Sequence, residues 1–325
     1  MNPFAFARAD SVASALTAVH RTPHAQFIAG GTNILDLMKD DVEHPPILID
    51  INALPLRAIE QRGDQLFIGA LARMSDIAAH PLVQSAFPVI SIALEESASP
   101  QLRNMASIGG NVLQRTRCPY FRDTATPCNK RNPGSGCGAI GGFNRMQAVL
   151  GTSDRCIATH ASDVAVAFTA LDAVVHIAHG SGTRTVPLTE FYREPGTTPQ
   201  VENALAPGEL IVGLAIPELA YGAHSTYVKA RDRAQYEFAL ASAAVALDVQ
   251  GGTIRAARIA LGGVATVPWR ARQAEALLAG APATRASYER AAEAALHGAR
   301  GQGQNDFKIP LAKRVVVRAL EMVSA

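Results

Sequence analysis

The sequence predicts an α/β chain that closes in an α+β unit, and three observations carry that expectation. Residues 11–51 alternate a helical pattern, a short apolar strand, a glycine turn, a second short helix and a second apolar strand. Residues 225–261 hold three strand-like runs, the last two joined at Gly251-Gly252, and helical patterns follow to the end. Between these units, all four cysteines fall in one proline- and glycine-rich stretch that neither pattern accounts for.

The bulk numbers leave room for two or three domains in 325 residues. With 48% apolar and 18% charged residues and a net charge of +2, the chain is neither disordered nor fibrous. That even balance argues against nucleic acid as a partner. No apolar run is long enough to cross a bilayer, so no membrane insertion is expected. Residues 1–8 lack a basic-then-apolar export pattern. The expectation is a soluble chain with no export signal of its own, which a signal-bearing partner could still carry out.

In order, Val12, Ala15, Leu16 and Val19 recur at helical spacing, with Asp10 or Ser11 as N-cap. Gln26-Phe27-Ile28-Ala29 is a strand that runs into Gly30-Gly31-Thr32-Asn33, residues 34–39 form a short helix, and residues 47–51 a buried strand. Residues 1–55 thus make a first unit. In a second, 56–218, residues 58–60 and 65–70 pair around Arg62-Gly63-Asp64. Ser75 caps a helix to His80, and residues 88–98 form another. Strands return at 173–177 and 183–186, turned by Gly180-Ser181-Gly182, then a short helix from Leu188 and a strand at 209–217 ending in proline. The last unit, 223–325, has strands at 225–229, 239–249 and 254–261 and helices at 268–279, 287–299 and 308–322.

Two glycine elements share a design. Gly30-Gly31 and Gly109-Gly110 are each flanked by a hydroxyl and an amide: Thr32 and Asn33 in one, Ser107 and Asn111 in the other. Neither is a G-x-G-x-x-G or G-K-[ST] loop. Backbone N–H groups at such a turn before a helix suit a diphosphate, and two loops facing each other would grip it from both sides; a plain structural turn is the competing reading.

The cysteines read C-x9-C-x8-C-x18-C. Disulfides, a structural zinc and an iron–sulfur cluster all remain open on spacing alone, although zinc thiolates usually come in close pairs that are absent here. Around them Arg103, Arg115, Arg117, Arg122, Lys130 and Arg131 face only Asp123 between 101 and 131. That is either a solvated loop or compensation for an anionic group.

FIAGGTNILDLMK (27–39) followed by SIGGN (107–111) resembles the flavin-binding subunits of the molybdenum hydroxylases, the family of xanthine dehydrogenase, aldehyde oxidoreductases and carbon monoxide dehydrogenase. The resemblance runs through the chain. IATHASDVAVAF (157–168) stands at the family's Ser/Thr-Pro-x-x-Asp element, with Ala161 where many relatives have proline. GELIVGLAIP (208–217), YVKARDRAQYEFALASAAVAL (227–247) and LGGVATVPWRA (261–271) complete it in order. The resemblance implies two FAD-holding subdomains of the vanillyl-alcohol-oxidase/PCMH type, then a three-stranded antiparallel sheet with helices of the CO dehydrogenase flavoprotein C-terminal type.

It also implies site residues. Gln26, Phe27, Ile28, Ala29, Gly30, Gly31, Thr32, Asn33 and Ile34 would cradle the pyrophosphate together with Ser107, Gly109, Gly110 and Asn111. Thr159 and Asp163 would hold the ribityl or ribose region. Lys229 and the backbone near Ile211 and Val212 would lie by the isoalloxazine; read alone, Lys229 is an exposed strand lysine.

More than forty residues separate Asn111 from Thr159, far more than in most flavin subunits of the family. This insert, 112–157, is similar to that of 4-hydroxybenzoyl-CoA reductase and, more closely, of periplasmic aldehyde oxidoreductases, whose flavin subunits carry an additional 4Fe–4S cluster. The resemblance therefore implies Cys118, Cys128, Cys137 and Cys156 as cluster ligands. It further implies a heterotrimer. A large subunit with a molybdenum cofactor would oxidise an aldehyde to its acid, and a small subunit with 2Fe–2S clusters would relay electrons. This chain would pass them through FAD to an external acceptor, in the periplasm if co-exported and otherwise in the cytoplasm.

No nucleophile–His–Asp arrangement and no H-E-x-x-H stands in the sequence, so no residue is assigned a catalytic role, and His20, His24, His80 and His160 read as surface or packing residues. The competing readings are a flavin subunit of another molybdenum hydroxylase, a free-standing vanillyl-alcohol-type oxidase, for which the C-terminal unit is too short a cap, and a structural adaptor with zinc.

Overall fold

The computed structural model describes residues 1–180 and 182–324, and three sheets succeed one another along them. β1 (Ala5–Arg8), β2 (Gln26–Ile28) and β3 (Ile47–Asp50) form a parallel sheet in the order β1-β3-β2. Parallel neighbours need crossovers, and helices Val12–Arg21 and Ile34–Lys39 supply them. Ser11 caps the first helix, and Ala15, Leu16 and Val19 bury its apolar stripe with Ile49 and Ile51. β1 lies where no strand is expected. Its four residues are too few to show a period; pairing with β3, from Ala5↔Ile47 to Arg8↔Asp50, makes it a strand.

β4 (Ile59–Arg62), β5 (Gln65–Gly69), β6 (Val174–His179), β7 (Gly182–Pro187) and β8 (Leu210–Pro217) form an antiparallel sheet in the order β4-β5-β8-β6-β7. Gly63, at φ 59°, turns β4 into β5 as expected. The expected turn Gly180-Ser181-Gly182 includes Ser181, which lies outside the described residues. Helices Pro88–Glu95 and Asp163–Ala170 pack with this sheet in one apolar core. The helix expected from Ser75 is instead Met74–Ala78, with Arg73 in the cap position and no side-chain cap bond.

β9 (Ser225–Ala230), β10 (Ala241–Gln250), β11 (Thr253–Gly262) and β12 (Trp269–Arg270) form the last sheet, β12-β11-β10-β9. Four strands replace the expected three. Trp269 and Arg270, expected inside a helix, pair with Leu261 and Ala260, and the helix begins only at Arg272. This sheet is buried on both faces, which explains the unbroken apolar run of β10. Ala241, Ala243, Val245 and Leu247 meet helices Arg272–Leu278, Arg285–Ala295 and Lys308–Ser324. Tyr227, Ala244 and Ala260 meet the core of the second sheet. At Gly262 an added Cβ would stand 2.5 Å from Val166 Cγ2, so glycine lets helix Asp163–Ala170 seat on the sheet.

The insert is not a surface loop. Cys118, Phe121, Cys128, Ala139, Cys156 and Ile157 form a small core of their own with Leu37 of the first unit. The arginines expected to be solvated, or to answer a bound anion, are answered largely by protein groups. Arg117 and Arg122 pair with Asp36 (2.8 and 2.7 Å), Arg115 with Glu43 and Glu202, and Lys130 donates to Pro199 O (2.9 Å). Arg131 donates to the carbonyls of Tyr120, Phe121 and Thr126. On the third side Arg145 pairs with Asp232 (2.7 Å), and Val149 and Leu150 N–H donate to Val264 O. The insert thereby fastens all three sheets.

Candidate functional site

The two glycine elements do meet. A Cβ on Gly30 would lie 1.9 Å from Met105 O and 3.2 Å from Ala106 Cα, immediately before Ser107. Only glycine permits that approach. Their chemistry differs, however. Among the described residues, the backbone N–H groups of Gly30, Gly31, Thr32 and Asn33 have no protein acceptor, and Gly31 takes φ 74°. Consecutive unpaired N–H groups before a helix are of the kind that can receive an anion. Asn33 Oδ1 is also buried without a partner.

The second element departs from expectation. Ile108 N–H donates to Ala72 O (2.9 Å), Gly109 N–H to Ala70 O (2.9 Å), Gly110 N–H to Ser107 Oγ (3.3 Å) and Asn111 N–H to Ser107 O (2.9 Å). Its donors are used inside the protein, because residues 108–112 form a helical turn capped by Ser107. Its glycines serve close packing: a Gly109 Cβ would meet Ala70 Cβ at 3.0 Å. What it offers outward is side-chain chemistry. Asn111 Oδ1 accepts from Ser162 Oγ at 2.5 Å, which ties the element to the start of helix Asp163–Ala170.

Asp163 is buried there and receives three donors: Ser97 Oγ (3.0 Å), Tyr227 OH (2.7 Å) and Lys229 Nζ (2.9 Å). Lys229 is no exposed strand lysine; its side chain is 1% accessible, and Nζ also donates to Glu96 O (3.0 Å). A satisfied buried pair of this kind is expensive to break, about 3–5 kcal/mol when one partner is removed. Burial and the neighbouring Asp163 charge hold the Tyr227 hydroxyl well above its usual pKa, so it stays a donor.

Beside Asp163 lies a cavity of about 160 Å³, walled by Thr159, His160, Ser162, Gln147, Phe238 and Gly263 among others. Thr159 Oγ1 donates to Met146 O (3.3 Å). His160, read from sequence as a packing residue, brings a polar atom into this wall. Its Nδ1 accepts from Ser162 N–H (3.3 Å), so the ring proton sits on Nε2, which is buried without an acceptor. Burial lowers its pKa to about 3, which keeps the ring neutral, and its edge meets Tyr192 at 4.5 Å. Gln147 Oε1, in the same wall, is a buried acceptor without a donor. Unpaired donor and acceptor together suit a polar ring or a polyol.

Ile211 and Val212 do not line this cavity. Ile211 is core on β8, opposite Ile177, and Val212 O accepts from Ala70 N–H (3.1 Å) while its side chain packs with the first unit. Gln26 likewise directs Nε2 to Glu43 Oε2 (2.9 Å). Sequence reasoning missed Ser97, Gln147, Ser162 and Tyr227. Only Ser162 had a legible signal, a hydroxyl before the apolar run of a helix.

All four cysteines line one small enclosed cavity with Tyr120, Phe121 and Ala158. Cys128 and Cys137 face each other across an isolated antiparallel bridge, and no two of the four are joined by a disulfide. Burial pushes the Cys118 thiol up to about 11, and raises that of Cys156, where Lys130 opposes the shift. Cys137 is less deeply buried than the other three. Among the described residues, no three His, Cys, Asp or Glu side chains are grouped to hold a metal ion. Four cysteines are nevertheless gathered around one cavity, the number of thiolates that a zinc or an iron–sulfur site would use. Cys118 also borders the larger cavity, so the two share a wall.

Comparison with known proteins agrees with this architecture. Residues 2–219 match the model of the FAD binding domain in molybdopterin dehydrogenase, and residues 225–323 that of the CO dehydrogenase flavoprotein C-terminal domain. The chain is 49% identical to the aldehyde oxidoreductase FAD-binding subunit PaoB of Escherichia coli, covering 98% of each. It is 29% identical to the glyceraldehyde dehydrogenase medium chain of Sulfolobus acidocaldarius, over 84% of this chain and 79% of that one. Among solved structures, carbon monoxide dehydrogenase from Hydrogenophaga pseudoflava superposes with a TM-score of 0.77 at 28% identity, covering 100% of this chain and 99% of the other. With both halves matched in order, the chain belongs to the FAD-binding subunits of the molybdenum hydroxylases and is part of an oxidoreductase complex.

Proposed function

We propose that this chain is the FAD- and 4Fe–4S-carrying electron-transfer subunit of a molybdenum-dependent aldehyde oxidoreductase. Its partners would be a molybdenum-cofactor subunit that converts an aldehyde to its carboxylic acid and a 2Fe–2S subunit that delivers electrons. The observation that carries the reading is the shared wall at Cys118 between the cysteine cavity and the cavity beside Asp163. The 49% identity to an aldehyde oxidoreductase subunit supports the substrate class. When bound, FAD and the cluster supply one-electron stations between the partner subunits and an external acceptor.

The chain's own residues bind and orient. The N–H groups of Gly30, Gly31, Thr32 and Asn33 would receive the diphosphate, and Gly30 keeps them against residues 105–106. Asp163, fixed by three donors, offers its carboxylate at the cavity edge beside Thr159. Lys229, held by Asp163 and Glu96 O, places a positive charge behind that carboxylate. Cys118, Cys128, Cys137 and Cys156 would ligate the cluster inside a shell of Phe121 and Ala158 that excludes water.

The purified complex tests this. Its visible spectrum should combine flavin bands with a broad iron–sulfur shoulder, and zinc in the cysteine site with no 4Fe–4S signal would reject the cluster. The reading extends to a periplasmic location by co-export with a signal-bearing partner. Osmotic-shock fractionation checks it, and retention with cytoplasmic markers would reject it.

A further inference from the structure

Among the side chains of the larger cavity with unfinished hydrogen bonding, Gln147 also touches Cys118, the residue shared by the two cavities. Gln147 is 2% exposed. Its Nε2 donates to Cys118 Sγ at 3.4 Å, while Oε1 is buried without a partner and the residue lines the larger cavity. A thiolate only accepts, so the amide N–H must face the sulfur and the carbonyl oxygen must face away. Leaving a buried amide oxygen unpaired is costly, which points to a donor in whatever occupies the cavity.

The backbone of Gln147 is held with unusual firmness. Its carbonyl accepts from Lys308 Nζ (3.0 Å) and Asn305 Nδ2 (3.2 Å), and both donors come from residues that are 0% exposed. Lys308 Nζ also donates to Met146 O (2.9 Å), and Gln147 N–H donates to Asn144 O (2.9 Å). Lys308 Nζ thus directs its hydrogen bonds at two carbonyls rather than at a carboxylate. Burying a lysine for that purpose makes sense if the position of residues 146–147 matters.

We infer that Gln147 is a positioning residue that couples the two cavities, its N–H stabilising charge on Cys118 Sγ and its carbonyl oxygen accepting an N–H or O–H from the occupant of the cavity beside Asp163. The inference rests on the cluster and FAD reading above and adds a residue-level link between the two sites. Hydrogen bonds to cluster sulfurs favour the more negative, reduced form and raise the reduction potential.

The test uses the assembled complex carrying Gln147→Met, which keeps the shape and removes both polar groups. Redox titration followed by electron paramagnetic resonance should show the cluster potential falling with iron content unchanged. FAD should be held about tenfold less tightly, the effect of one hydrogen bond. An unchanged potential and unchanged FAD affinity would overturn the inference. If the variant fails to assemble, wild-type protein labelled with ¹⁵N-glutamine decides: a nitrogen coupling to the reduced cluster supports the link, and its absence overturns it. A wild-type complex with no 4Fe–4S signal would fail differently, by removing the reading beneath.

Discussion

The glycine pairs at 30–31 and 109–110 share a sequence design and do different work. The first leaves four successive N–H groups without a protein acceptor, and the second donates all of its N–H groups to Ala70, Ala72 and Ser107. One pair is open for a ligand; the other lets the chain pack tightly enough to bring Asn111 to Ser162. A glycine-rich loop therefore signals close approach, and only the pairing of its N–H groups tells whether a ligand or the protein itself is what approaches.

The contrast can be broken most severely at Gly30. In Gly30→Ala the new Cβ would meet the backbone at Met105 O, 1.9 Å away, and nothing flexible can yield. Loss of FAD is expected together with about 3 kcal/mol of stability, measured as flavin per chain after gel filtration and as a thermal melt. Gly31→Val separates the two effects. It forces a branched side chain into φ 74°, costing about 1–2 kcal/mol, while its Cβ meets the side chains of Leu35 at 2.9 Å and Ile28 at 3.5 Å. The protein should fold and lose FAD, and wild-type flavin content would show the loop assignment wrong.

Gly109→Ala is the converse. Its Cβ would press on Ala70 Cβ at 3.0 Å and Ala70 O at 3.1 Å, so about 1–2 kcal/mol of stability should go while FAD stays. If this variant sheds FAD as readily as Gly31→Val, the proposed division of labour is wrong.

A smaller effect sharpens the picture on the Asp163 side. The pKa of His160 is about 3 in the fold against an ordinary 6.5. Below 6.5 the unfolded chain takes up a proton that the folded chain refuses until near 3, so stability falls as pH drops through that window. His160→Asn keeps an acceptor for Ser162 N–H and has no proton to take up. Melting curves between pH 7 and 4 should show the variant losing less than the parent protein; equal slopes would mean that His160 ionises freely in the fold.

How much of this was legible in the sequence follows from how local each feature is. Helix Val12–Arg21 and the pairing of β10 with β11 were readable because period, cap and turn lie within a few residues of one another. β1 was not, since a partner far along the chain makes it a strand, and neither was β12, whose two residues are too few to show a period and run straight into a helix. At the site, residues 30–33 and the four cysteines stood out by composition. Asp163 and Lys229 were each named only through family likeness and in separate roles, with no hint that they pair across 66 positions or that Ser97 and Tyr227 join them. The arginines of the insert misled in the other direction: their carboxylate partners Asp36, Glu43 and Glu202 lie outside the window in which the charge was counted.

Cys118, Cys128, Cys137 and Cys156 line one cavity, and we propose that they hold a 4Fe–4S cluster beside a separate FAD site. The most direct test is iron, flavin and electron paramagnetic resonance on the assembled complex with Cys128→Ser, against the parent. Loss of four iron and of the 4Fe–4S signal is expected, with FAD and the partner 2Fe–2S signals retained. Four iron per chain still bound in that variant, with the signal intact, would contradict it.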